Sequence, residues 1–274
     1  MRMCACRGTA GFAHVSCLAE QAQILLDEVE ENNLLGTKRF NERWARWHTC
    51  SLCEQRHHGV MGCALGWACW KTYVGRPETD TLRGGAMTLL GSGLSAAKHH
   101  EDASTVREAQ LSTMRRVGAQ EAVILAVQSN LAGSYEALGQ KDRTLQMKRD
   151  VYSGFLELYG EEDRNTILEA SNYAASLANL QRYEEARVLT RKMIYVARRV
   201  LGENHELTLR MRSLYARALL LDTGATLGDL REAVTTLEDT ERIARRVLGG
   251  AHPRTVLIED LLRCARAALG ARTD

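Results

Sequence analysis

The stretch Asn172–Ala186, Asn-Tyr-Ala-Ala-Ser-Leu-Ala-Asn-Leu-Gln-Arg-Tyr-Glu-Glu-Ala, decides the fold. Ala174 and Ala186 stand 12 positions apart, the spacing at which two antiparallel helices of a hairpin approach through small side chains. The same pairing recurs as Gly91 with Ala103, Ala132 with Thr144, and Ala216 with Ala233, where Asp222-Thr-Gly-Ala-Thr lengthens the turn and widens the gap to 17. Ser129, Ser171 and Ser213 are each 42 residues apart, as are Ala132, Ala174 and Ala216, and the apolar set Leu125, Ile167 and Leu209. Gly118, Gly160 and Gly202 keep that interval and follow Val117, Tyr159 and Leu201 at the ends of helical patterns, where a left-handed cap favours a residue without a Cβ. Between them, Tyr183–Gly202 places apolar side chains every three to four positions, the pattern of an amphipathic helix.

Together with Leu201-Gly-Glu-Asn-His-Glu-Leu-Thr-Leu and Leu248-Gly-Gly-Ala-His-Pro-Arg-Thr-Val, these residues resemble a tetratricopeptide array of the 42-residue kind found in kinesin light chains. The resemblance runs from about residue 82 to 270 and implies four helical hairpins and a final solvating helix near 254–269. It implies a mainly α superhelix whose first helices line a concave groove suited to an extended peptide. In that family an asparagine lines the groove. The matching positions here are Asn130 and Asn172, with Leu214 in the third copy. The first copy departs from the pattern by carrying Gly91 and Gly93 inside a helix.

Composition agrees with helix. The 274 residues include 2 prolines and 15 aromatics and are 45% hydrophobic, which argues against a sandwich or barrel of short strands. Lys and Arg number 9 against 7 acids up to Arg76, and 27 against 27 beyond it, so neither part has the positive excess of a nucleic-acid binder. The longest apolar run, Gly59–Trp70, is far short of the ~20 residues that cross a bilayer. Residues 1–19 contain Arg2 and Arg7 and no acid, but no apolar signal core. A soluble, cytoplasmic protein is expected.

Seven of the eight cysteines fall in the first 69 residues. Cys4, Cys6, His14, Cys17, Cys50 and Cys53 form a CxC, an HxxC seven residues on, and a CxxC 32 residues later. Short-spaced soft donors suit zinc, because one turn aims two ligands at a tetrahedral centre that a second pair completes. Zinc is the expected cofactor. The alternative is that these cysteines are simply reduced and buried.

The order and flanking residues, Cys4-Ala-Cys-Arg-Gly-Thr-Ala-Gly-Phe-Ala-His-Val-Ser-Cys-Leu and Thr49-Cys-Ser-Leu-Cys, resemble the second, third and fourth ligand pairs of a RING-CH finger. The cross-brace of that family implies one complete site, Cys4, Cys6, Cys50 and Cys53, and leaves His14 and Cys17 as half of another. Only three residues precede Cys4, where the family has a further CxxC, so an N-terminally truncated finger is expected. The resemblance also implies a ubiquitin-conjugating enzyme as partner and a RING-type ubiquitin-protein ligase as ancestor. Gln21 stands where the family places its docking tryptophan, so the ligase assignment rests on resemblance alone.

The remaining residues read as structure. Cys63 and Cys69 are six apart on a helical pattern and Cys264 lies in the last helix, so all three are expected to pack in cores. His57-His58 and His99-His100 are expected in solvent, and Trp67 and Trp70 over the joint between finger and array. Leu90-Gly-Ser-Gly-Leu lacks the lysine and strand of a phosphate loop, and Glu161-Glu162 begins a helix; no catalytic residues stand out. The expected organisation is a partial finger over 1–58, a helical connector over 59–81 and the array over 82–274. The expected function is a zinc-binding adaptor whose groove recruits a client peptide. The alternative is a scaffold with no role in ubiquitin transfer, and an upstream CxxC in the genomic frame would separate the two.

Overall fold

The computed structural model describes residues 14–272. The described residues form α1 (Val15–Glu31), α2 (Lys38–Trp44) with a 3-10 turn at Ala45–Trp47, α3 (Gly59–Tyr73), α4 (Thr81–Ala96), α5 (His100–Arg116) and α6 (Glu121–Ala137). There follow α7 (Lys141–Tyr159), α8 (Arg164–Asn179), α9 (Tyr183–Leu201), α10 (Glu206–Leu221), α11 (Leu227–Leu248) and α12 (Pro253–Gly270). The one β feature among the described residues is an antiparallel bridge between Thr49 and Arg56. The chain forms two compact units that part between Gln140 and Lys141.

In the second unit each helix packs on the next, and α10 also touches α8 and α12, so the first helices of successive hairpins are neighbours. The small residues of the 42-residue columns are what make this possible: Ala174, Ala216 and Ala233 are sealed in the interior, and Ala216 and Ala233 share one core with Leu209, Leu237 and Ile258. The inter-repeat motif also has a mechanical explanation. Asp163, His205 and His252 each accept a hydrogen bond from a first-turn backbone N–H of α8, α10 and α12. Three residues on, the buried Thr166 and Thr208 donate to carbonyls of the preceding turn, Phe155 at 3.2 Å and Gly202 at 2.8 Å. Gly160, Gly202 and Gly249 end the helices before these caps with φ of +78°, +89° and +87°. The extra residues of the fourth hairpin form a turn closed by Asp222, after which Thr226 and Asp229 make a reciprocal capping box.

In the first unit α3 and α4 lie unusually close. A Cβ on Gly93 would fall 2.6 Å from the Gly62 carbonyl oxygen, and one on Gly66 3.0 Å from that of Leu89. The glycines of α4 therefore answer to neighbouring elements: Gly93 admits α3, Gly91 leaves room for the buried Arg107 side chain, and Gly85 receives the ring of Trp44. One core joins Ala22 and Leu26 of α1, Trp47, Cys69 and Tyr73 of α3, and Leu82 and Ala86 of α4. Val15 and Leu18 extend this contact over Met61 and Leu65.

Three expectations change. Cys264 is exposed, because on α12 the inward positions are taken by Ile258, Leu262 and Ala265. His57 is buried, 8% exposed, since the turn that precedes α3 folds back on the helix pair. Trp67 is 44% exposed whereas Trp70 packs inward, so the two do not act together. Cys63 and Cys69 pack in cores, and burial pushes both thiols above their ordinary range. Leu90-Gly-Ser-Gly-Leu is continuous helix within α4.

Candidate functional site

Four of the six expected zinc ligands, His14, Cys17, Cys50 and Cys53, fall on two local frames. His14 is the N-cap residue of α1 and Cys17 lies in its first turn, with His14 Nδ1 4.0 Å from Cys17 Sγ. Donors at ordinary zinc bond lengths are roughly 3.5 Å apart across a tetrahedral centre, so this pair is near ligand spacing. Cys50 and Cys53 lie on a tight turn. The Thr49–Arg56 bridge closes its base, Cys50 N donates to Gln55 O at 2.9 Å, and Glu54 N donates to Cys50 O at 3.0 Å. Glu54 takes φ of +56°, and the Leu52 N–H points at Cys50 Sγ from 3.5 Å. An amide aimed at sulfur favours the thiolate, the form that ligates zinc. Cys4 and Cys6 lie outside the described residues. Among the described residues no group of three or more His, Cys, Asp or Glu side chains converges on one point.

The asparagines also differ from each other. Asn172 is half-buried: its amide nitrogen donates to Glu169 Oε2 at 3.1 Å, and its oxygen accepts from Arg210 on α10 at 2.8 Å. Asn130 is exposed and makes no hydrogen bond to another described residue. It stands on the wall of a cleft of about 600 Å³ between α4 and α6. Gly84 and Gly85 line the cleft, and Met114, Val123 and Val127 make it apolar. At its floor the buried Gln110 donates to Gly84 O at 3.0 Å and to Thr88 Oγ1 at 2.8 Å. The carboxylates at the rim are already engaged. Glu78 pairs with Arg116 at 2.6 Å, while Asp80 caps α4 and holds Arg76 at 3.3 Å. The cleft thus presents apolar surface and two unused amides, Gln120 and Asn130, with no uncompensated charge. Sequence periodicity located Asn130, but the cleft depends on tertiary packing and leaves no local signal.

A family model for the tetratricopeptide repeat matches residues 170–206. The fold is a tetratricopeptide-like helical array. Among solved structures, the kinesin light chain nearly identical TPR-like repeats of Podosopora anserina align with 70% of this chain and 89% of theirs, at 21% identity and a TM-score of 0.58. The apo form of RapI aligns with 94% of this chain and 84% of its own, at 11% identity and a TM-score of 0.51. A Rap protein complexed with competence and sporulation factor aligns with 94% of this chain and 70% of its own, at 13% identity and a TM-score of 0.51. These likenesses are of fold. No curated protein matches the sequence. The array resembles that of kinesin light chains, and a helical-repeat fold of this kind is suited to protein–protein interaction. No helix among the described residues is long and apolar enough to cross a membrane.

Proposed function

We propose that this protein is an interaction adaptor in which the cleft between α4 and α6 holds an extended peptide segment of a partner. The observation that carries this reading is Asn130, an amide without a described partner on the wall of an apolar cleft. A side-chain amide offers one donor and one acceptor side, which matches the backbone of an extended chain and leaves side-chain choice to the apolar floor. Asn172 plays a different part: its oxygen is taken by Arg210, so it ties α8 to α10. The fold of a Rap protein complexed with competence and sporulation factor adds support, since the same architecture there carries a bound partner.

We also propose a structural zinc module at the N-terminal cysteines. Cys4, Cys6, Cys50 and Cys53 hold one ion, with His14 and Cys17 as a weaker, two-ligand remnant. The amide-to-sulfur contact at Cys50 and the donor spacing of His14 and Cys17 fit that role. Zinc here supplies folding free energy and no reaction step. The test of the adaptor reading is selection of short peptides against the full chain, followed by Val123→Asp. Val123 is 43% exposed, so the carboxylate disturbs the cleft and spares the core. Selected peptides should lose at least about tenfold in affinity. Binders indifferent to Val123→Asp would remove the cleft from the account.

A further inference from the structure

A second cleft lies in the first unit, with a volume of about 430 Å³. Four elements enclose it: α2 with its 3-10 turn, the 48–57 turn, the first turns of α3, and α4. Its chemistry is unlike that of the first cleft. Arg56, His57, His58 and His48 form one wall, Trp44 and Trp47 another, and no carboxylate is among its lining residues. Three other clefts carry acids, Glu78 and Asp80 in one, Glu203, Glu232 and Asp239 in another, Glu238 and Glu241 in a third.

Arg56 is the fixed positive charge of this wall. Most arginines outside this wall pair with a carboxylate, but Arg56 has no ion-pair partner among the described residues. The first turn of α3 borders the cleft, and its N-cap residue His58 gives no side-chain hydrogen bond, so the positive end of that helix also lies here. Among the described residues, His48 Nδ1 is buried without a hydrogen-bond partner, and the Ser92 hydroxyl on the opposite wall has none either. Trp44 lines the cleft, its ring edge pressed so closely on α4 that a Cβ on Gly85 would lie 2.7 Å from it.

We propose that this cleft binds a small organic anion with a flat apolar body, its charged group at Arg56, His58 and the start of α3, and its ring against Trp44. The volume is that of a small-molecule pocket, and enclosure by four elements favours a compact ligand over a passing chain. A guanidinium without a carboxylate partner at a partly desolvated cleft is stabilised by an anion and repels a cation.

Titration of the full chain with the aromatic sulfonate anilinonaphthalene sulfonate, read by quenching of tryptophan fluorescence, tests the site. The expected result is one dye per chain. Arg56→Gln and Ser92→Phe should each weaken it about tenfold or more, and the neutral analogue phenylnaphthylamine should bind at least about tenfold more weakly. Val123→Asp in the first cleft should leave dye binding unchanged, which separates this site from the peptide cleft. Equal affinity for the neutral analogue, dye binding that survives Arg56→Gln, or no saturable binding would overturn the proposal. If Ser92→Phe loses helical signal, Arg56→Gln decides alone, because that side chain is exposed.

Discussion

A Cβ placed on Gly93 of α4 would sit 2.6 Å from the carbonyl oxygen of Gly62 on α3, a distance no packed side-chain carbon tolerates. The backbone of α4 therefore rests directly on that of α3. Gly93→Ala should force the helices apart and cost about 1–3 kcal/mol. Gly133, in α6, has open space at its Cβ position and no positive φ, so Gly133→Ala should stabilise by about 0.5–1 kcal/mol through helix propensity. Denaturant unfolding of both variants checks the pair.

Trp47 is 1% exposed and shares a core with Tyr73 and Leu82. Trp47→Ala should cost about 3–5 kcal/mol, and the loss should reach α3 and α4 as well as the segment that carries Trp47. Amide exchange resolved by segment would show it: faster exchange confined to residues 38–58 would contradict a shared core.

Asp229 accepts hydrogen bonds from the Thr226 backbone N–H at 2.8 Å and hydroxyl at 2.7 Å and meets Arg187 at 3.3 Å, and these bonds, the Thr226 ones first, hold its carboxyl below the ordinary value. A folded pKa below the unfolded one contributes stability that is full above the unfolded value and is lost as pH falls through the folded one. Asp229→Asn should therefore flatten the acid limb of the stability profile below about pH 4, with little slope change above pH 6. Thr226→Ala should cost about 1 kcal/mol at neutral pH. Thermal unfolding across pH reads both effects.

Elemental analysis of the purified chain should find about one tightly held zinc. Cys50→Ser should release it and speed amide exchange over residues 48–57, while α8 to α12 keep their protection. A zinc content unchanged by Cys50→Ser would remove Cys50 from the ligand set.

Much of the array was legible because its signals are local and repeated. Ala174 with Ala186 and Gly160 with Gly202 each report a helix contact or a helix stop that any copy must satisfy, and the structure places them there. The roles of His205 and His252 were present in the sequence as a repeated histidine, and only the first-turn geometry identifies them as N-caps. The first hairpin was harder to read. Gly85, Gly91 and Gly93 depart from the repeat because they meet Trp44, Arg107 and α3, contacts far away in sequence that leave no periodicity. The same holds for both clefts, whose walls come from three or four separate elements. Asn130 and Asn172 look equivalent along the chain, and Arg210 is what makes them different.

The central claim is that a peptide seats between α4 and α6 beside Asn130. Hydrogen–deuterium exchange of the full chain, with and without a display-selected peptide, tests it most directly. The account predicts slowed exchange in α4 and α6 that Asn130→Ala diminishes. Slowing confined to α8 and α10 around Asn172 and Arg210, with α4 and α6 unchanged, would contradict it.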